Sequence, residues 1–156
     1  MTGGNIKVAT IHTLSYYFMG DVVASFMSQR PLVNISVVVR SSPEVVDLVE
    51  GGKAEIGFVY DTAVATDAVK ITPLFEETMM LIVQESSPIS RQKSVNLATQ
   101  KVPLVTFPPH YALRRMLDRH GLTSDVSVEV EAVDAMLKLV SLILLQQITD
   151  RITIIA

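Results

Sequence analysis

The chain has 156 residues, 49% of them hydrophobic and 19% charged, a balance that supports a folded core and excludes disorder as the main state. At that length roughly 68–70% of the unfolded chain's surface can be buried, so one domain or two small lobes can fold without a covalent staple. There is no Cys, hence no disulfide, thiolate metal site or thiol nucleophile, and the formal net charge of −3 gives no basic footprint for nucleic acid. The opening Met1-Thr2-Gly3-Gly4-Asn5 is short and polar with no apolar leader behind it, and runs such as Leu142–Leu145 are far too short to span a bilayer. The expectation is a soluble, cytoplasmic protein without a membrane partner.

Strands and helices alternate along the chain, which predicts an α/β fold of mostly parallel sheets flanked by helices. Asn5–Thr10 reads as a buried strand. Thr13 and Ser15 are candidate caps of a helix reaching about Gln29, with Leu14, Phe18, Val22 and Phe26 as its apolar stripe. Arg30-Pro31 ends that helix. Val33–Arg40 is rich in β-branched residues and reads as the strongest strand. Ser41-Ser42-Pro43-Glu44 is a dense helix-start signal: a Ser cap precedes Pro at the first helical position, and an acid sits in the positive first turn. Val45, Val46, Leu48 and Val49 form the buried stripe, and Gly51-Gly52 closes the helix.

Ala54–Tyr60 reads as the next strand, completing a βαβαβ unit. Asp61–Lys70 is a polar loop. Phe75–Gln84 is a long extended segment crossing into a second lobe, and Ser86–Arg91 turns away from it. Leu97–Lys101 reads as a short helix and Pro103–Phe107 as a strand. Tyr111–His120 comes next as a helix closed by Gly121. Val126–Glu131 alternates like a strand, and Val133–Leu145 is helical with Met136, Leu137, Val140 and Leu144 inward. Arg151–Ala156 reads as a last strand.

In open α/β sheets, ligands sit beyond the carboxyl ends of strands. Three such ends lead into polar helix starts: Thr10–Thr13, Ser41-Ser42 and Thr106–His110. Each helix start is worth only ~0.3–1 kcal/mol toward an anion, so several must converge in one crevice to hold a small anionic ligand. Thr10 and Thr13 are candidate hydroxyl donors, although Thr13 could equally cap its helix. Ser42 faces the same choice between cap and ligand contact. His12 could donate to a carboxylate or lie solvated in its loop. Arg40 could clamp a carboxylate bidentately or form a surface salt bridge. Tyr60 could bring its hydroxyl into the cleft or pack at the sheet end. Thr106 and His110 would serve the second lobe, His110 otherwise being an exposed residue after two prolines.

Arg114 and Arg115 read as the solvated face of their helix, His120 suits a C-terminal dipole role, and the acid pairs Glu76-Glu77 and Glu129/Glu131 read as solvated. Catalytic arrangements are weak. The three His residues lack metal-ligand spacing, there is no nucleophile elbow, Walker A or dinucleotide fingerprint, and Gly51-Gly52-Lys53 closes a helix rather than opening one. No catalytic residue, metal or cofactor is expected.

The stretches GNIKVAT, SFMSQRPLVNISVVV, GKAEIG, ITPLFEETMMLIVQESSPI, PLVTF, RRMLDRHGL and AMLKLVSL, in that order, resemble the effector-binding domain of LysR-type transcriptional regulators. ATIHTLSYY is most similar to the branch that includes the regulator of cysteine biosynthesis. The resemblance implies a two-lobed fold of the type 2 periplasmic-binding-protein kind, with lobe I at 5–79, lobe II at 80–148 and a return segment at 149–156. It implies a small-molecule sensor, not an enzyme, that couples an anionic effector to the arrangement of a DNA-bound oligomer. DNA would be met only through a winged helix-turn-helix absent from this chain. It further implies a homodimer, within tetramers of the full-length regulator, formed by the Leu14–Gln29 helix against lobe II, to which Tyr16, Met19, Val23 and Met27 are suited. The chain departs from the family pattern at Gly20, where Pro is common, at Glu55, where Asp is usual, and at 143–150, where ILLQQITD replaces a Gly-rich turn and strand. Two other readings share the fold: an exported solute-binding protein, against which the missing leader argues, and an enzyme, which would need an acid/base pair within reach.

Overall fold

β1 (Gly4–Thr10) is the centre of a three-stranded parallel sheet in the computed structural model, which describes residues 3–123, 125–143 and 152–155. On one side it pairs over its whole length with β2 (Val33–Val39), from Gly4 opposite Val33 to Thr10 opposite Val39. On the other side it meets β3 (Ile56–Phe58), with Val8 opposite Ile56 and Thr10 opposite Phe58. The central position explains the burial: Val8, Ala9 and Thr10 are inside, while β2, for all its β-branched residues, is an edge strand and only half-buried.

The expected strand Ala54–Tyr60 is shortened to three residues, its start being committed to the end of the preceding helix. The N–H groups of Lys53 and Ala54 close the preceding helix on Leu48 O. Glu55 donates its N–H to Lys7 O at 3.0 Å and accepts the Lys7 N–H on Oε2 at 2.6 Å.

The helix expected from Thr13 to Gln29 is two: α1 (His12–Tyr17) and α2 (Met19–Gln29), broken at Phe18. Phe18 keeps right-handed helical backbone angles at a widened φ of −116°, and its ring packs edge-on against Phe58 at 5.9 Å and Phe75 at 5.3 Å. The expected stripe is buried only in part. Leu14 is buried, Val22 is 37% exposed, and Met19, expected to face outward, is buried at 4%. Neither Thr13 nor Ser15 caps α1; Ile11 holds the cap position with extended backbone and no side-chain bond.

α3 (Ser42–Glu50) starts one residue earlier than expected: Ser41 rather than Ser42 holds the cap position, without a side-chain cap bond, Pro43 lies in the first turn, and Ser41 Oγ donates to Glu44 Oε1 at 2.5 Å. It ends at Gly52, whose φ of +69° suits glycine. Its inner face lies so close to β3 that a Cβ on Gly57 would fall 2.7 Å from Val45 Cγ1 and 2.9 Å from Val49 Cγ2. Val45, Ala9 and Ala54 form the core there.

The contacts divide the chain between Phe75 and Glu76. The second unit has a four-stranded sheet of β4 (Met80–Ile82), β5 (Leu104–Thr106), β6 (Val126–Glu129) and β7 (Ile152–Ile155), in the order β4-β7-β5-β6. β5 runs parallel to both neighbours, and β4 runs antiparallel to β7. Only three residues of the expected Phe75–Gln84 strand join a ladder.

Val102 and Leu104 pack with Leu117 of α4 (Ala112–Arg119) as the core of this unit. Gly121, at φ +68°, closes α4 as expected. In α5 (Val133–Ile143), Val133, Met136 and Val140 face inward at helical spacing, and Gln84 Nε2 donates to Val140 O and Ser141 O in its last turn. The expected helix at Leu97–Lys101 is a single turn: Asn96 O receives the N–H of Thr99 and Gln100 while Asn96 Oδ1 receives that of Ala98, and Pro103 forbids continuation. Leu144 and the ILLQQITD departure from Leu144 onward lie outside the described residues. Among those described, no helix is long and apolar enough to cross a membrane.

Candidate ligand-binding groups

Parallel strands end on the same side, and in the first unit the three ends lie level. Thr10 O accepts the Arg40 N–H at 2.9 Å, just past β2, and the Ile11 N–H donates to Phe58 O at 3.3 Å. The residues just beyond each strand are therefore gathered at one sheet edge: His12-Thr13 after β1, Ser41-Ser42 after β2, Tyr60 after β3. Six of the sequence candidates, Thr10, His12, Thr13, Arg40, Ser42 and Tyr60, lie along it, and Thr13 and Tyr60 touch.

Thr10 is fully buried, and its hydroxyl makes a long 3.3 Å bond to Ile11 O. Thr13 is buried at 2%, and its Oγ1 lies 3.1 Å from the Tyr60 hydroxyl. Tyr60 thus turns its polar end toward α1, and Thr13 serves that pair rather than a cap. Ser42 is buried at 1%, and its Oγ has no hydrogen-bond partner. A buried hydroxyl left this way costs about 1–3 kcal/mol, so it asks for a reason. His12 is half-buried as the first residue of α1. Arg40 is exposed and donates Nη1 to Val39 O at 2.7 Å.

In the second unit, Thr106 ends β5. Its carbonyl accepts the Val130 N–H at 2.9 Å, while its hydroxyl is buried without a partner, as is that of Ser87 in the turn after Gln84. Phe107 stacks on Tyr111 at 4.9 Å, and the exposed His110 tilts against the same ring at 4.5 Å.

Beside them lies a group that the sequence pattern misplaces. Arg114, expected on a solvated face, is only 11% exposed; it donates to Phe107 O at 3.1 Å, Glu129 Oε1 at 2.9 Å and Asp118 Oδ1 at 3.3 Å. Glu129, expected to be solvated and unpaired, is its partner. The Arg114/Asp118 spacing of four was legible as a helical pair; the link to Glu129 joins a helix to a strand and has no local signature. Arg115 and His120 are exposed as expected.

The chemistry offered is hydrogen bonding by hydroxyls and main-chain N–H groups. Among the described residues, no group of three His, Asp or Glu could hold a metal ion.

The family model described as the LysR substrate binding domain matches residues 2–144. The chain is 25% identical over 146 residues to the HTH-type transcriptional regulator cbl of Escherichia coli (strain K12), covering 90% of this chain and 46% of that one. It is 27% identical over 143 residues to the HTH-type transcriptional regulator CysB of Burkholderia cenocepacia, covering 85% and 43%. It thus spans less than half the length of these relatives. In fold it is similar to the effector binding domain of QuiR, solved in complex with shikimate, with a TM-score of 0.76 at 19% identity over 99% of this chain and 74% of that one. It is also similar to the cofactor-binding domain of the Cbl regulator, with a TM-score of 0.66 at 24% identity over 90% and 64%. The fold is the α/β, two-lobed, type 2 periplasmic-binding-like one.

Proposed function

The chain belongs to the LysR substrate-binding domain family, and from that premise we propose that it senses a small, anionic metabolite for a transcriptional regulator. The observation that carries this reading is the set of buried hydroxyls at the carboxyl edge of the first sheet, with Ser42 Oγ unpartnered. A folding core gains nothing from such a group, whereas a ligand can satisfy it. The ligand-facing residues are Thr10, His12, Thr13, Arg40, Ser42 and Tyr60 in the first unit, and Thr106 and His110 in the second.

Binding biases an oligomer of the cytoplasmic, full-length regulator, whose separate DNA-binding domain meets the operator. The ligand shifts that equilibrium only by its differential affinity for the two arrangements, typically ~1–3 kcal/mol. The dimer contact uses the exposed apolar side of α1 and α2, where Tyr16 is 58% and Val22 37% exposed, with the half-buried Val23 and Met27 beside them. Met19, being buried, takes no part. The matched relatives named as transcriptional regulators favour this reading over the solute-binding and enzymatic ones.

Calorimetric titration of the chain with small carboxylates, sulfate and phosphate tests it. Thr13→Val is expected to weaken the bound probe about tenfold or more, the worth of one hydrogen bond to a charged group, with little loss of stability. Unchanged affinity removes Thr13 from the site, and product formation from any probe replaces the sensor with an enzyme.

A further inference from the structure

Three segments far apart in sequence share the ring of Phe18. It stands where α1 meets α2, and it packs edge-on against Phe58, the last residue of β3, at 5.9 Å and against Phe75, the last residue of the first unit, at 5.3 Å. Phe58 lies two residues before Tyr60, whose hydroxyl is 3.1 Å from Thr13 Oγ1. α1 is therefore fastened to the end of β3 by a hydroxyl pair near its start and by a ring pair just past its end, and the ring of the second fastening also holds Phe75. From this we infer that Phe18 is a joint that couples the Thr13–Tyr60 contact to the segment leading out of the first unit. What the joint serves, the passing-on of a ligand signal, rests on the sensing reading above.

Each part is soft enough to move. α1 has six residues and no side-chain cap bond, too short to hold its shape in water without such packing. The backbone keeps its helical hydrogen bonds through the joint: the Phe18 N–H donates to Leu14 O at 2.9 Å, and the Phe18 carbonyl accepts the Val22 N–H at a long 3.4 Å. Farther along the chain, residues 71–78 are all exposed, and none of them belongs to a helix or a strand. Ile71 and Leu74 are 52% and 60% exposed, so they hold this run weakly, whereas Phe75 sets its ring against Phe18. An edge-to-face ring pair shifts an equilibrium by about two- to tenfold. That biases the segment between docked and released without locking it. Leu14 and Phe18 lie on one helix face, so a tilt of α1 that follows a change at Thr13 carries the Phe18 ring with it. Coupling of this kind is reciprocal: release of Phe75 weakens the Thr13–Tyr60 contact by the factor with which loss of that contact releases Phe75.

Cleavage of the folded chain by trypsin at Lys70, exposed five residues before Phe75, reads the release. Mass spectrometry separates it from cleavage at the exposed Lys53 and Lys93. Phe75→Ala is expected to speed cleavage at Lys70 at least about fivefold relative to those two sites. Tyr60→Phe keeps the ring and removes the hydroxyl pair; it should speed Lys70 cleavage about two- to threefold, an effect that should vanish in a Phe18→Leu background. In the reverse direction, Phe75→Ala should shift the Tyr60 ring resonances. If those resonances stay put, or if Tyr60→Phe leaves Lys70 cleavage unchanged or changes it equally without the Phe18 ring, the two contacts are independent and the inference falls. It falls as well if Phe75→Ala speeds all three sites alike, because the ring then serves the whole core. No arm contains a ligand, so this failure leaves sensing intact. Failure of sensing shows instead as no bound probe in the calorimetric titration, with the Lys70 result unchanged.

Discussion

The carboxyl edges of the two central strands, β1 and β5, answer the same topological problem with opposite chemistry. Both strands end in a buried threonine, Thr10 and Thr106, flanked by parallel neighbours. Around Thr10 the sequence gathers hydroxyls and keeps every Lys and Arg outside. Around Thr106 it draws in Arg114, whose donors go to Phe107 O, Glu129 and Asp118, and closes the edge with a stacked Phe107–Tyr111 pair. Each edge leaves a buried hydroxyl open, Ser42 or Thr106; only the second also uses its charges to brace its own loop. An arginine near a strand end is therefore poor evidence of an anion site until its donors are counted, and a quiet group of Ser and Thr can be the better lead.

If the two edges belong to separately packed units, a core lesson in one should stay there. Leu104 is 1% exposed between Val102 and Leu117, so Leu104→Ala is expected to destabilise the second unit by about 2–5 kcal/mol, the cost of a buried cavity. Hydrogen exchange should show lost protection in Leu104–Thr106 and Val126–Glu129, with Gly4–Thr10 unchanged. Equal loss in β1 would mean one cooperative core and would break the comparison at its root.

The brace itself comes next in size. Arg114→Ala removes three donor contacts, but Glu129 and Asp118 are 44% and 42% exposed and water takes over much of what they lose. The buried share is the bond to Phe107 O, so about 1–2 kcal/mol is expected by urea denaturation. Nuclear magnetic resonance should show the Phe107 and Tyr111 rings shifting while the Thr13 and Tyr60 signals stay put. A loss below a few tenths of a kcal/mol would demote Arg114 to the solvated residue that its sequence suggested.

That contrast also marks what the sequence could tell. Elements with local signals were legible: β1 and β2 from apolar runs, α3 from Ser41-Ser42-Pro43-Glu44 and Gly52, α4 from Gly121. That the ends of β1, β2 and β3 lie at one edge was legible too, since parallel strands bring like ends together. What failed was decided at a distance. The break at Phe18 accompanies ring contacts with Phe58 and Phe75, forty and fifty-seven residues on. Thr13 reads as a cap until Tyr60, forty-seven residues later, takes its hydroxyl. Arg114 reads as surface until Glu129 arrives from another strand. No periodicity encodes these meetings.

The smallest expected effect is also the one that bears most directly on both edges. Ser42 Oγ and Thr106 Oγ1 are buried without partners, so each forfeits the desolvation of a hydroxyl for nothing in the unliganded fold. Ser42→Ala and Thr106→Val should therefore leave stability unchanged or raise it by up to about 1 kcal/mol, opposite in sign to most buried substitutions. Ser42→Ala is expected to weaken a bound carboxylate probe by several-fold, because the buried Ser42 hydroxyl is left open at the first edge. If Ser42→Ala instead destabilises the chain by a kcal/mol or more, Ser42 already serves the fold, and the argument that its hydroxyl waits for a ligand loses its physical basis.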